Sequence, residues 1–349
     1  MDMSKFTQRG VDNAEFLFVD IAKAKEGESV CLVTDDAGAP AASLLGLCAR
    51  RMGLKPFIID LSLYGAPTGG PPYAGIPAIK AAVLASDITF SLGFWYSWLL
   101  KDTKLSDEAH SGVQRRFFLG CANSIPEWEY NRAEILKSRE RTPLLNALIR
   151  HSKELRITTE AGTDLVCEIG DENIHMISDV LYLVPFYSEV AVIPKRGTVN
   201  GTAVVDGHIY HVRRDEFGFR ELDTEPVRLK ISGNKVTDYS APPGQLERLE
   251  KFINTADPRA DQVDEIGFVT MTDHAFSKYH WGVWGGTGHA VDSIHIALGN
   301  DTGGRVRPDT IHAAAHSDFD IMHPTLSLDG HVIFQNGKYD DNYIFGALA

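Results

Sequence analysis

Hydrophobic positions in the first part of the chain alternate between two patterns, one typical of strands and one typical of helices. Short β-branched runs at residues 29–34 and 55–60 predict strands. The longer amphipathic stretches at 13–25 and 41–52 predict helices. Strands that alternate with helices usually form a parallel sheet covered by helices. We therefore predict an N-terminal α/β domain over residues 1–150.

The charged stretch at residues 126–154 also has a helical pattern. Because Pro143 follows Thr142 inside it, this stretch predicts two helices that meet at that point. A change of pattern near residue 155 then marks the predicted domain boundary.

The second half of the chain consists of short apolar runs separated by turns, which predict mostly antiparallel β-structure. One clear helix is predicted at residues 243–254. The predicted fold class is thus α/β followed by β, with a β-rich catalytic domain over residues 151–349. The strand-like runs lie at residues 156–159, 164–167, 188–193, 201–205 and 227–232.

Charge and composition exclude several classes of protein. The formal net charge of −13 disfavours nucleic acid as a partner, and the basic pairs are isolated and predicted to be solvated. No stretch is apolar enough to span a membrane and no secretory signal is present, so we expect a cytoplasmic protein. The four cysteines form no C-x-x-C motif and predict buried free thiols. The basic pairs are Arg50–Arg51, Arg115–Arg116 and Lys195–Arg196.

Candidate metal ligands are concentrated in the second half, where seven histidines lie between His274 and His323. His316 and Asp318 are two residues apart, so on a strand both side chains would face the same side. His295, Glu265 and Glu189 each stand in or beside an apolar run. A buried carboxylate is costly without a partner, and a divalent cation would satisfy it. Imidazole and carboxylate together suit zinc, manganese, cobalt or iron.

These motifs, taken in order, resemble the thermophilic aminopeptidase T / leucyl aminopeptidase family. Glu189, between Pro185 and Pro194, and the run at 199–205 resemble the segment that carries its first carboxylate ligand. Glu265, His295 and the His316–Asp318 pair resemble its later ligands. The resemblance covers roughly residues 155 to 335. It implies one or two divalent ions and a metal-activated water that attacks an amide of a small-molecule substrate. It also implies that Glu189 or Glu265 is the base, and that the protein is a homo-oligomer, most simply a dimer.

The chain departs from these peptidases at one position. They have a catalytic tyrosine seven residues after the first histidine, where this chain has Thr302, and Tyr279 is the candidate to replace it. A related branch is the iron(II)-dependent 2,5-dihydroxypyridine dioxygenases, which share the Gly162–Asp164 turn and the closing His–x–Asp. Their first iron-binding histidine falls at Glu265. The expected activity is hydrolysis of an amide or related C–N bond, and ring-cleaving dioxygenation is the alternative.

A segment rich in aromatic residues, histidine and glycine lies between two proposed ligands, at residues 274–289. Either it packs in the core or it forms the wall of a substrate pocket, where aromatic rings could stack on a substrate. An arginine near the glycine-rich loop that follows could hold a carboxylate. The candidate pocket residues are His280, Trp281, Trp284, Thr302 and Arg305.

Overall fold

The structure is a computed structural model that describes most of the chain. The described residues are 5–36, 38–62, 77–92, 115–119, 122–169, 189–211, 226–256, 259–272, 291–299 and 316–347. Two compact units divide the chain, and among these residues the first unit ends at Leu136 and the second begins at Lys137. The domain boundary near residue 150 stays a prediction.

In the part of the chain that the structure describes, the first unit is built around a parallel sheet of four strands in the order β2-β1-β3-β4. Every residue of β3 and nearly every residue of β1 is buried, as expected for strands covered on both faces. This confirms the α/β character predicted from sequence. The elements are α1 (Gln8–Phe16), which continues as a π-helical turn (Leu17–Ile21), β1 (Ser29–Thr34), α2 (Ala39–Arg51), β2 (Lys55–Asp60), α3 (Pro77–Ala85), β3 (Ile88–Leu92), β4 (Arg115–Leu119) and a 3-10 turn (Ala122–Glu127).

The first helix begins earlier than residue 13, where the sequence placed its start. The Thr7 side chain accepts a hydrogen bond from the Gly10 amide and so caps the helix at Gln8. The prediction that both arginines of the Arg115–Arg116 pair are solvated is wrong for Arg116. Its guanidinium is buried and donates 2.8 Å hydrogen bonds to the Ser86 carbonyl and to the Thr89 hydroxyl.

The helix α4 (Arg132–His151) is continuous, so the prediction of two helices that meet at Pro143 is wrong. Leu145 and Ile149 follow the proline and are buried in the core of the second unit. Packing of this apolar face therefore outweighs the hydrogen bond that proline cannot donate.

Among the described residues, the second unit contains two antiparallel sheets, as the sequence predicted. An eight-stranded sheet has the order β11-β10-β8-β6-β5-β15-β16-β17, and a five-stranded sheet has the order β7-β12-β13-β14-β9. One hydrophobic cluster draws side chains from both sheets. The elements that follow α4 are β5 (Glu154–Thr158), β6 (Asp164–Glu168), β7 (Glu189–Val192), β8 (Asn200–Val205), β9 (Ile209–His211), β10 (Val227–Ser232), β11 (Lys235–Ser240), α5 (Pro243–Lys251), a π-helical turn (Phe252–Ala256), β12 (Val263–Val269), β13 (Ser293–Gly299), β14 (His316–Met322), β15 (Thr325–Leu328), β16 (His331–Gln335), β17 (Lys338–Tyr339) and α6 (Asp341–Gly346).

Three of the four cysteines, Cys31, Cys48 and Cys167, are described, and they are buried and not disulfide-bonded. Burial raises the pKa of the Cys31 and Cys167 thiols to about 12. For these three residues the prediction of buried free thiols is confirmed, and a raised pKa makes a thiol less reactive. Within the described residues, no helix is both long and apolar enough to cross a bilayer.

Arg141 connects α4 to the end of β12 and to the C-terminal helix. Its side chain is only 2% exposed and forms a 2.6 Å ion pair with Asp341. It also donates a 2.6 Å hydrogen bond to the Thr270 carbonyl, one residue past β12. Breaking such a pair would leave a buried cation without its carboxylate, which is strongly destabilising.

Replacing Asp341 with asparagine should therefore lower the free energy of unfolding at neutral pH by about 3 kcal/mol. Burial raises the pKa of Asp341, but its bonds to Arg141 and Lys137 bring it below the ordinary value of 3.8. The stabilisation is thus complete above pH 3.8 and is lost as the pH falls further, through the depressed pKa. Urea unfolding between pH 7 and pH 3 should show the two proteins converging in acid. Asp164→Asn, at an exposed ion pair, is the control and should change little.

Candidate metal centre

The five-stranded sheet separates apolar from polar side chains by simple alternation along its strands. On one face, residues of β7, β12, β13 and β14 enter the hydrophobic core; they are Val190, Val192, Ile266, Phe268, Ile294, Ile296, Leu298, Phe319 and Ile321. The residues between them face the other side. That side carries all five predicted ligands: Glu189, Glu265, His295, His316 and Asp318.

Three of these side chains come together in one buried group. Glu189, Glu265 and His295 are 7%, 2% and 1% exposed, and each offers a ligand atom within 4.8 Å of the others. His295 Nε2 lies 3.4 Å from Glu189 Oε1 and 3.6 Å from Glu265 Oε1. Two carboxylates and one imidazole at this spacing suit a divalent cation such as zinc, manganese, cobalt or iron.

The other two predicted ligands form a pair on β14. His316 Nε2 lies 2.7 Å from Asp318 Oδ1, as expected for residues two apart on a strand. Ala297 stands between Asp318 and Glu265 in the sheet, because it is the register partner of both. The pair is therefore on the same face as the three-residue group, and strand β13 lies between the pair and Glu265.

The pKa of Glu265 depends on its partners in the three-residue group and on the His316–Asp318 pair. Burial raises it, whereas the interaction with His295 and the positive charges of His316 and His295 lower it, and Asp318 raises it slightly. The balance leaves the pKa of Glu265 below its ordinary value. This carboxyl is therefore ionised at neutral pH, which is the form that binds a cation.

Small residues make room for the ligands, and the sequence analysis did not identify them. Gly267 is the register partner of His295, and a Cβ added to it would overlap the His295 ring and the Glu189 carboxylate. Ala191 and Ala297 occupy neighbouring positions on the same face. A signal was present in the sequence, since Glu189, Glu265 and His295 are each followed two residues later by alanine or glycine.

The predicted pocket residues lie outside the described residues and stay predictions. They are Tyr279, His280, Trp281, Trp284, Thr302 and Arg305. The roles of the five ligand candidates are likewise predictions, although the structure brings three of them into one group.

The described chain thus combines an α/β unit, a β unit of two sheets and a buried carboxylate–imidazole group that could hold a metal ion. The chain belongs to the 2,5-dihydroxypyridine 5,6-dioxygenase (NicX) family, whose model matches residues 132–341. The matched region includes all five candidate ligands. A comparison with curated protein sequences gave no significant match.

Two solved structures share the fold at 14% sequence identity. One is the 2,5-dihydroxypyridine dioxygenase of Pseudomonas putida KT2440, with a TM-score of 0.65, covering 95% of this chain and 97% of that one. The other is wild-type AmpT of Thermus thermophilus, with a TM-score of 0.59, covering 95% and 99%. The predicted resemblance to the aminopeptidase T family and its dioxygenase branch is confirmed. At this identity, the likeness to the two structures establishes the fold alone.

Replacing Gly267 with alanine should weaken metal binding at least about 10-fold, because the new methyl group displaces the His295 ring and the Glu189 carboxylate. Competition with a fluorescent chelator measures the affinity, and thermal unfolding measures the fold. Gly244→Ala is the matched control, since nothing lies within 4 Å of the Cβ it adds. Equal metal affinities of the two variants would contradict this account of the site.

Proposed function

We propose that the protein is a metal-dependent hydrolase that cleaves an amide, peptide or related C–N bond of a small substrate. The observation that carries this proposal is the buried Glu189–Glu265–His295 group, in which carboxylates outnumber imidazoles. His316 and Asp318 on the same sheet face bring the set to three carboxylates and two histidines. Iron(II) oxygenases of the facial-triad type instead use two histidines and one carboxylate.

The ligands would hold one or two divalent ions. When bound, such an ion supplies Lewis acidity and an acidified water. The Glu189–Glu265 pair offers the base, because a carboxylate oxygen of either residue can accept the proton of the attacking water. The lowered pKa of Glu265 keeps that carboxylate ionised at neutral pH, which is the form that binds a cation. His295 Nε2 lies 3.4 Å from Glu189 Oε1 and 3.6 Å from Glu265 Oε1, so it can orient both carboxylates.

Residues of the predicted pocket complete the proposal. Tyr279 would donate a hydrogen bond to the developing oxyanion in place of the tyrosine that the peptidases have at the position of Thr302. His280, Trp281 and Trp284 would line an aromatic wall, and Arg305 would hold a substrate carboxylate. A small, aromatic or heterocyclic amide fits these groups.

A second candidate function is ring cleavage of a dihydroxypyridine-like substrate by an iron(II) dioxygenase. Family membership favours it, because the family is named for that reaction. His295, His316 and Asp318 include two histidines and one carboxylate, which is the composition of an iron(II) facial triad. Glu265, where the dioxygenases have their first iron-binding histidine, favours the hydrolase.

The two reactions differ in their need for oxygen and in the metal they accept. We expect the zinc-loaded protein to hydrolyse an aminoacyl anilide, dipeptide or cyclic or aromatic amide equally well in air and under nitrogen. Glu265→Gln should lower kcat/KM at least about 100-fold, because it removes the charge that binds metal or accepts the proton. Product formation by chromatography is the measurement.

The same preparation should be given 2,5-dihydroxypyridine, once loaded with iron(II) and once with zinc. Oxygen uptake that matches loss of this substrate, with iron(II) only and without amide turnover, would replace the hydrolase with the dioxygenase. Activity with neither substrate class, in protein that binds metal tightly, would favour a non-catalytic metal-binding role.

We further propose that the protein acts as a homo-oligomer on a small molecule, with no nucleic-acid partner. Light scattering at micromolar concentration should give twice the chain mass of 38.4 kDa for a dimer. A mass of 38.4 kDa would contradict the proposal.

A further inference from the structure

The strand that carries Glu265 contains a β-bulge directly before that residue. Val263 pairs with Leu298, but Glu265 pairs with Ala297, so the register shifts by one and Asp264 is the extra residue. Without the shift, Asp264 would stand opposite Ala297, on the polar face. Glu265 would stand opposite Ile296, on the face that forms the core. The bulge is therefore what places Glu265 in the candidate metal centre.

A single arginine contacts both the extra residue of this bulge and the residue before it. The Arg196 guanidinium forms an ion pair with the Asp264 carboxylate, which is completely buried. The same guanidinium donates a 3.5 Å hydrogen bond to the Val263 carbonyl. Because a buried carboxylate is costly without its cation, this ion pair favours the bulged conformation over any register that separates Asp264 from Arg196.

Asn234 also holds Val263, the residue before the bulge. Its backbone carbonyl accepts a 2.7 Å hydrogen bond from the Val263 amide, and its side-chain amide donates a 3.2 Å bond to the Val263 carbonyl. Its side-chain oxygen accepts hydrogen bonds from the amides of Thr198 and Val199, which follow Arg196 in the chain. The loop that carries Arg196 is thus tied to the point where β12 begins.

We propose that Arg196 is a positioning residue for Glu265: by clamping the bulge at Asp264, it fixes the register that presents the Glu265 carboxylate to the metal. This inference rests on the metal centre proposed above and adds a residue outside the ligand set. Arg196 acts through Asp264 and the backbone of β12. Sequence patterns placed it in a solvated basic pair, whereas its side chain is only 25% exposed.

The adjacent Lys195 provides a matched control, because its side chain is 60% exposed and forms an ion pair with Glu168. Arg196→Met and Lys195→Met each remove one positive charge, one residue apart. A purely electrostatic effect would make both variants bind a cation slightly more tightly. Positioning predicts the opposite for Arg196→Met, a weakening of roughly 10- to 100-fold, with Lys195→Met unchanged or slightly tighter.

The measurement is the dissociation constant for zinc, obtained by chelator competition on the full-length protein, with thermal unfolding recorded without metal. If Arg196→Met does not fold, the pair Arg196→Lys and Lys195→Arg decides instead, since both variants keep the charge. Lysine lacks the planar fork that reaches both Asp264 and the Val263 carbonyl, so Arg196→Lys should weaken zinc binding several-fold. Lys195→Arg should not.

The outcomes separate this inference from the proposed function. If the wild type binds zinc and the Arg196 variants match their Lys195 controls, the positioning role is wrong and the metal centre stands. If the wild type binds none of zinc, manganese, cobalt and iron(II), the metal centre is wrong, and the inference fails with it. The positioning role is supported if zinc binding is weakened in the folded Arg196 variants and is not weakened in the Lys195 variants.

Discussion

Two carboxylates lie within 4.8 Å of each other on a buried sheet face, and the β unit has to offset the repulsion between them. Negative charges at this distance repel strongly where water is excluded, unless positive charge stands among them. Burial raises the pKa of Glu265, but the hydrogen bond with His295 and the interaction with His316 bring it below its ordinary value. A divalent cation would supply the positive charge. Gly267 leaves the room that these groups need, and the bulge at Asp264 places Glu265 among them.

Much of the fold could be predicted from sequence because it follows from periodicity. The alternation along β13 and β14 is typical of strands and also assigns His295, His316 and Asp318 to the face opposite the core. The boundaries of α1 and α4 were harder to predict. The first depends on a cap at Thr7, and the second on core packing that overrides Pro143. Both are decided by contacts that a local pattern does not contain.

The candidate site, too, could be predicted from sequence only in part. Five ligand candidates were found from residue type and spacing, since metal-binding side chains are few and distinctive. Gly267 and Arg196 were missed for opposite reasons. The first matters because of a side chain it lacks, and the second matters through a carboxylate 68 positions away in the chain. Such dependence on distant partners becomes visible only once the strands are paired.

The alternation of β13 has a consequence for how the protein reaches its native state. Shifting this strand by one residue would turn His295 into the core and expose Ile296 and Leu298 on the polar face. No such misregistered chain could assemble the three-residue group. An ion that binds only the correctly paired sheet would stabilise it selectively by mass action. Besides any part in chemistry, the cation would then favour the correct pairing of the strands. The yield of active protein would depend on metal being present during folding.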